Sequence, residues 1–173
     1  MSDAHPRMSE ALTADSVASG VPYSASSDYA DPTWGFMARL RRLTQLYTAA
    51  WSARVSSEIT STQFGVLSSL NAIPGQDQGT LGQSLSMDKS STADVVGRLS
   101  KRGYVRVLRD EADSRRKILM LAPEGLEVLE QLRPRVTALR NGAFADFDQA
   151  GRGQFLTDMS RLIETLERAE DAS

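Results

Sequence analysis

Residues 80–125 read TLGQSLSMDKSSTADVVGRLSKRGYVRVLRDEADSRRKILMLAPEG. Leu81 and Leu85 stand four apart, which places both on one side of a short helix over Thr80–Leu85. Met87-Asp88 makes a tight junction, and Asp88 is a good N-cap because its carboxylate can accept from amides of the first turn. The next helix runs over 88–102 and stops at Gly103, a residue suited to the left-handed conformation that ends helices. Tyr104–Leu108 and Lys117–Leu121 read as strands around a polar turn at Asp110–Ser114, which makes a β-hairpin. Pro123 then suits the first position of another helix.

Upstream, Thr60 or Ser61 can cap a helix through Phe64, Leu67 and Leu70, followed by a loop over Asn71–Gly79 that carries Pro74-Gly75. Further back, Asp31-Pro32-Thr33 can open a helix whose Phe36, Leu40, Leu43, Tyr47 and Ala50 recur at steps of four and three. Downstream, Leu126, Leu129, Leu132, Val136 and Leu139 form one stripe, with an expected interruption at Asn141-Gly142. A last helix holds Phe155, Met159, Leu162 and Leu166, and Gly151-Arg-Gly153 before it reads as a helix break. Residues 1–31 contain seven Ser and six Ala without a helical period, so a disordered or weakly ordered tail is expected. The predicted fold is mainly α with a small β-hairpin. It is a winged helix-turn-helix over 59–122 with helical extensions over 32–58 and 123–173.

Composition narrows the chemistry. The chain has 173 residues, no Cys and one His, His5 in the tail. Disulfides, thiolate zinc sites and Cys nucleophiles are excluded, and a Ser-His-Asp triad or multi-His metal site has no residues to form it. No cofactor is called for. No run approaches the roughly 20 apolar residues of a bilayer span, and no apolar leader opens the chain, so a cytoplasmic protein is expected. The net charge of −2 argues against nucleic acid only until it is divided. Residues 1–35 carry −4, 36–86 carry +2, 87–117 carry +4 and 118–173 carry −4. Screening acts over about 8 Å at physiological salt, so a phosphate backbone feels the local +4 rather than the total.

In the helix over 88–102, Thr92, Val95, Val96 and Leu99 form the side expected to be buried. Lys89, Ser90, Ser91, Asp94, Arg98 and Lys101 point outward. Hydroxyls and cations on a helix that fits the major groove can reach phosphates and base edges. In the hairpin, Arg109 stands at one end of the turn and Arg115, Arg116 and Lys117 at the other. An Arg at the tip can enter a narrow minor groove, where the negative potential is enhanced. A winged domain that binds protein instead of DNA is the alternative, and it calls for a more apolar outward face than this one.

These pieces resemble the multiple antibiotic resistance regulator (MarR) family of bacterial transcription factors. The matching residues are Leu81-Gly-Gln-Ser-Leu85, Met87-Asp88, Val95-Val96-Gly-Arg98-Leu99, Lys101-Arg-Gly103-Tyr-Val105, Asp110-x-x-Asp113-x-Arg115-Arg116 and Leu121-Ala-Pro123-Glu-Gly125. Thr60-x-Thr62-Gln63-Phe64 also fits, and the likeness extends over about 33–170. The resemblance implies a homodimer whose first and last helices interlock, so that 32–58 and 123–173 become a dimerisation region. It also implies a repressor on palindromic double-stranded DNA, released by a small-molecule effector. Three departures stand out: Asp94 where many members carry a basic or neutral residue, Gly97 inside the recognition helix, and Ala122 in place of a capping hydroxyl.

The first helix supplies Trp34, Phe36, Arg39, Arg42, Tyr47 and Trp51. Rings beside a guanidinium suit an aromatic carboxylate, which Arg can grip through two hydrogen bonds. Gly35-Phe36-x-x-Arg39 resembles the aromatic-acid-responsive branch of the family. Equally, Phe36 and Tyr47 can be dimer core and the Arg residues a solvated face. Ser86-Met-Asp-Lys89 matches the S-x-x-K nucleophile motif, but its partner motifs are absent and no enzyme is expected.

Overall fold

The computed structural model describes residues 35–109 and 117–171. Among them the order is α1 (Phe36–Arg54), α2 (Ser61–Ala72), α3 (Gln78–Ser84), α4 (Lys89–Lys101), β1 (Val105–Arg109), β2 (Lys117–Leu121), α5 (Pro123–Ala143) and α6 (Gln149–Asp171). The expected tail, the Asp31 cap and the expected turn at Asp110–Ser114 lie outside the described residues.

Local chemistry sets most boundaries. Thr60, not Ser61, caps α2: its hydroxyl accepts from the Gln63 amide at 3.2 Å while the Gln63 side chain accepts from the Thr60 amide at 3.0 Å. Asp77 caps α3 through the Thr80 amide, which starts that helix at Gln78, ahead of the expected Thr80. Asp88 caps α4 as expected, accepting from the Ser91 amide at 2.8 Å and from its hydroxyl at 2.6 Å. At the other end of α4, Gly103 (φ +77) donates to Ser100 and Tyr104 donates to Leu99. That is a Schellman ending, and it ties up the Tyr104 amide and delays β1 to Val105.

The two strands pair antiparallel, with Val107 opposite Leu119 and Arg109 opposite Lys117. The free edge of β2 is not bare: Gly75 donates to the Leu119 carbonyl and Leu119 donates to Gln76. Part of the expected loop thus adds to the wing, with the Gln76 side chain buried and bonded to Ser69 and Ile73.

Val66, Leu67, Leu70, Leu81, Val96, Leu99, Val105, Leu119 and Leu129 form one core. A second cluster holds Trp51, Val55, Ile59 and Leu132, and Phe64, Tyr104 and Val128 pack against both. The first half of α5 is therefore part of the winged core. Trp51 donates its indole N–H to the Ile59 carbonyl at 2.7 Å, which closes the turn between α1 and α2. Arg102 reaches the same turn, donating to the Glu58 carbonyl at 2.9 Å and stacking on Tyr104.

The interruption expected at Asn141-Gly142 falls one residue before the end of α5 at Ala143, whereas Gly151 and Gly153, expected to break a helix, lie in the opening turns of α6. Asp148 accepts from the Gly151 amide at 2.7 Å, so this glycine sits where a cap is made. Phe144, Phe147 and Phe155 cluster at the α5–α6 turn and close it with an apolar knot.

Two glycines have opposite meanings. A methyl on Gly125 would run into the Tyr104 carbonyl, which there accepts the Ala122 amide, so Gly125→Ala must push α5 off the wing. A methyl on Gly97 meets no atom of the described residues within 4 Å. Gly97→Ala should stabilise the fold by up to about 1 kcal/mol, while Gly125→Ala lowers the Tm sharply. Thermal unfolding of both checks the contrast, and equal shifts would contradict it.

Asp88 gives a pH prediction. The Ser91 hydroxyl and then the Ser91 amide hold its carboxyl below the ordinary aspartate value. A lowered folded-state value means the cap's contribution is full above the ordinary range and is lost as pH falls through the folded value. Asp88→Ala should therefore melt below the wild type at neutral pH, with the gap narrowing in acid below about pH 4. A gap that stays constant into acid would contradict the assignment.

Candidate nucleic-acid interface

α4 has two faces with different chemistry. Thr92, Val96 and Leu99 are buried and Val95 is half-buried, whereas Lys89, Ser90, Ser91, Asp94, Arg98 and Lys101 are exposed. The hydroxyl of Thr92 is satisfied by the Asp88 carbonyl at 2.8 Å, so the polar atom on the inner side has a partner.

Behind this helix α3 comes very close. Gly82 is buried, and a methyl there would meet the Thr92 hydroxyl at 2.8 Å and the Met87 carbonyl at 3.0 Å. The Gly82 carbonyl accepts the Met87 amide at 2.9 Å, which pins the turn. Ser86 occupies this turn with φ +50, a left-handed conformation unusual for a residue with a side chain. The short α3 and the left-handed turn deliver α4 at a fixed angle to the core, with its polar side outward.

On that outer side the exposed groups are not equivalent. The Ser91 hydroxyl proton is engaged by Asp88, so Ser91 serves the cap first and offers a partner only its oxygen lone pairs. Asp94 and Arg98 form an i,i+4 pair, with Nη2 to Oδ2 at 3.0 Å and Nε to Oδ1 at 3.2 Å. Lys101 lies one turn beyond Gly97 on the same side.

In the wing, Arg109 is exposed at the end of β1 and lies directly opposite Lys117. Like charges in that cross-strand position repel, and an anionic partner would relieve the repulsion. Both cations were expected at the ends of the turn, and the strand register adds that they face each other. Arg115 and Arg116 lie outside the described residues.

The candidate effector residues are distributed along α1. Trp34 lies outside the described residues. Phe36 is half-buried and Arg39 is exposed, its guanidinium lying back over Gly35 where a side chain would collide with it. Tyr47 is exposed, and its ring lies 6.2 Å from that of Trp51. Trp51 itself is buried against Phe64, so it offers little surface to a ligand. Among the described residues no group of His, Cys, Asp and Glu could hold a metal ion, and no helix is long and apolar enough to cross a membrane.

Comparison with known proteins agrees with this architecture. A model of the MarR family matches residues 59–117. The transcriptional regulator HosA of Escherichia coli O127:H6 is 33% identical over 96 residues, which is 56% of this chain and 70% of that protein. The PcaV transcriptional regulator of Streptomyces coelicolor, solved in complex with its natural ligand, superposes with a TM-score of 0.72 at 35% identity. That match covers 82% of this chain and 97% of PcaV. The transcriptional repressor CouR, solved on a 23-mer DNA duplex, shares the fold at 20% identity with a TM-score of 0.65, over 77% of this chain and 92% of CouR. These proteins are regulators, not enzymes. With a winged helix-turn-helix built around α3, α4 and the hairpin, and with these relatives, the chain belongs to the MarR family of transcriptional regulators.

Proposed function

We propose that this regulator is a homodimeric repressor. It holds a palindromic operator in double-stranded DNA through α4 and the wing and is released by a small aromatic acid. The observation that carries the DNA reading is the outer face of α4. It is polar and positively charged at Lys89, Arg98 and Lys101, and it stays exposed while Thr92, Val96 and Leu99 on the opposite face are buried. The facing cations Arg109 and Lys117 at the base of the wing support it. Lys89, Ser90, Ser91 and Arg98 would meet the major groove. Arg109, Arg115 and Arg116 would meet the flanking backbone or minor groove. The protein-binding alternative is disfavoured because no large apolar side chain stands on the outer face of α4.

The dimer reading rests on apolar side chains that no element among the described residues covers. α1 exposes Met37, Leu40, Leu43 and Leu46, and α6 exposes Leu156, Met159, Leu162, Ile163 and Leu166. Apolar stripes of this extent on two long helices call for a partner surface, and a second copy supplies both. The effector reading rests on the likeness to PcaV, a protein solved with its natural ligand, and on the exposed Arg39 guanidinium. Arg39 would grip the carboxylate, and Trp34, Phe36 and Tyr47 are the candidate ring contacts, the buried Trp51 serving the fold instead.

Mobility shift on the gene's own upstream region, at 50 and 200 mM salt, tests the DNA reading. Phosphate contacts release counterions, so the affinity should fall by at least about tenfold between the two conditions. No shift, or one indifferent to salt, would overturn it. For the effector, Arg39→Ala should bind the operator as the wild type does and no longer be released by 4-hydroxybenzoate. Release retained by the variant would move the carboxylate site away from Arg39.

A further inference from the structure

The pairing of Asp94 with Arg98 has a direction that bears on sequence recognition. Both oxygens of the carboxylate are taken by one edge of the guanidinium, Nε at 3.2 Å and Nη2 at 3.0 Å. A guanidinium carries five N–H donors in a rigid plane. With Nε–H and one Nη2–H engaged, the donors left are one on Nη2 and both on Nη1. These form the outer end of the fork, the edge that matches two acceptors side by side. Guanine is the base that offers such a pair in the major groove, at O6 and N7.

We propose that Asp94 is a specificity-determining residue that acts through Arg98, fixing its fork so that the free edge reads one guanine in each half-site. The inference rests on the reading of α4 as the helix that enters the groove. Left alone, an exposed Arg on a helix samples many rotamers and can settle on any phosphate. Held by a carboxylate one turn earlier, it presents one edge. The acid stands N-terminal to the base, the order that favours i,i+4 pairs on helices. The surroundings leave room for this. Gly97, half-exposed, lies beside the pair, and a methyl there would meet no atom of the described residues within 4 Å. A helix-weakening glycine with no packing role inside the chain lets the backbone approach the groove floor between Asp94 and Lys101.

The rival account of Asp94 is simple repulsion, an anion that weakens binding to every phosphate backbone. The two accounts predict different variants. Wild-type protein is first used to select its site from a random pool of duplexes. Wild type, Asp94→Ala and Arg98→Ala are then titrated against that site, its single-base substitutions and an unrelated duplex. Both side chains are exposed, so neither truncation removes core packing. The expected result is that both variants lose discrimination at the same guanine by about tenfold, the range of a good bidentate base contact. On the unrelated duplex, Asp94→Ala binds at least as tightly as wild type because an anion has gone, and Arg98→Ala binds more weakly.

Asp94→Ala strengthening every duplex equally, with an unchanged base profile, would overturn the inference in favour of repulsion. A loss at a different base pair from that of Arg98→Ala would overturn it in favour of independent readout by Asp94. Wild-type protein that binds no duplex would instead overturn the groove reading itself, and the inference with it.

Discussion

Leu99 has no exposed surface, and Val96 and Thr92 on the same side of α4 have almost none. That burial is the constraint around which the domain is arranged. Truncating a fully buried Leu costs about 2–5 kcal/mol, so the helix cannot rotate about its axis to expose this side without a loss comparable to the stability of a small domain. With the inner side fixed, the outer side is fixed too. The Asp88 cap sets where the helix begins, the Schellman ending at Gly103 sets where it stops, and Gly82 lets α3 lie close enough to hold its angle. The outward direction of the polar residues is therefore set by packing behind them, and the contact between Asp94 and Arg98 adds to it only the orientation of one side chain.

The wing depends on the same helix. Tyr104 leaves the end of α4 with its amide bonded to Leu99 and its carbonyl bonded to Ala122, so one residue joins the recognition helix, the first strand and the start of α5. Gly125 is the second half of that joint, since only a residue without a side chain fits against the Tyr104 carbonyl. Ala122 makes no side-chain cap, and Pro123 at the first position of α5 lacks an amide proton that would need one.

Much of this was legible in the sequence, for reasons that differ by element. Asp88, Gly103 and Pro123 act locally, through caps and fixed backbone angles, and their positions predicted the ends of α4 and the start of α5. Lys117–Leu121 was placed by its apolar run, and Thr60 was one of two candidates for a cap that its reciprocal bond with Gln63 decides. What escaped depends on distant partners. The addition of Gly75 and Gln76 to the edge of β2 and the clamp from Arg102 to Glu58 are set by tertiary placement and have no periodicity to reveal them. The end of α5 lies one residue past the expected Asn141-Gly142, but the break expected at Gly151-Arg-Gly153 is absent because the Phe144, Phe147 and Phe155 cluster and the Asp148 cap place the turn ahead of it. In the candidate site, the exposed face of α4 was legible from helical spacing. The fork between Asp94 and Arg98 and the opposition of Arg109 and Lys117 needed side-chain geometry and strand register.

The total charge of −2 conceals this arrangement, since the segment 87–117 carries +4 and the acidic residues lie mainly toward both ends. At physiological salt a field reaches about 8 Å, so a duplex docked as proposed would meet the composition of α4 and the wing rather than the total. Dimethyl sulfate footprinting of the operator tests the central claim most directly, because it reports guanine N7 in the major groove. Entry of α4 into the groove predicts protected N7 positions in two half-sites, centred about 10 base pairs or a multiple of that apart, as two-fold symmetry requires. A bound duplex whose guanine N7 atoms all remain reactive would contradict it.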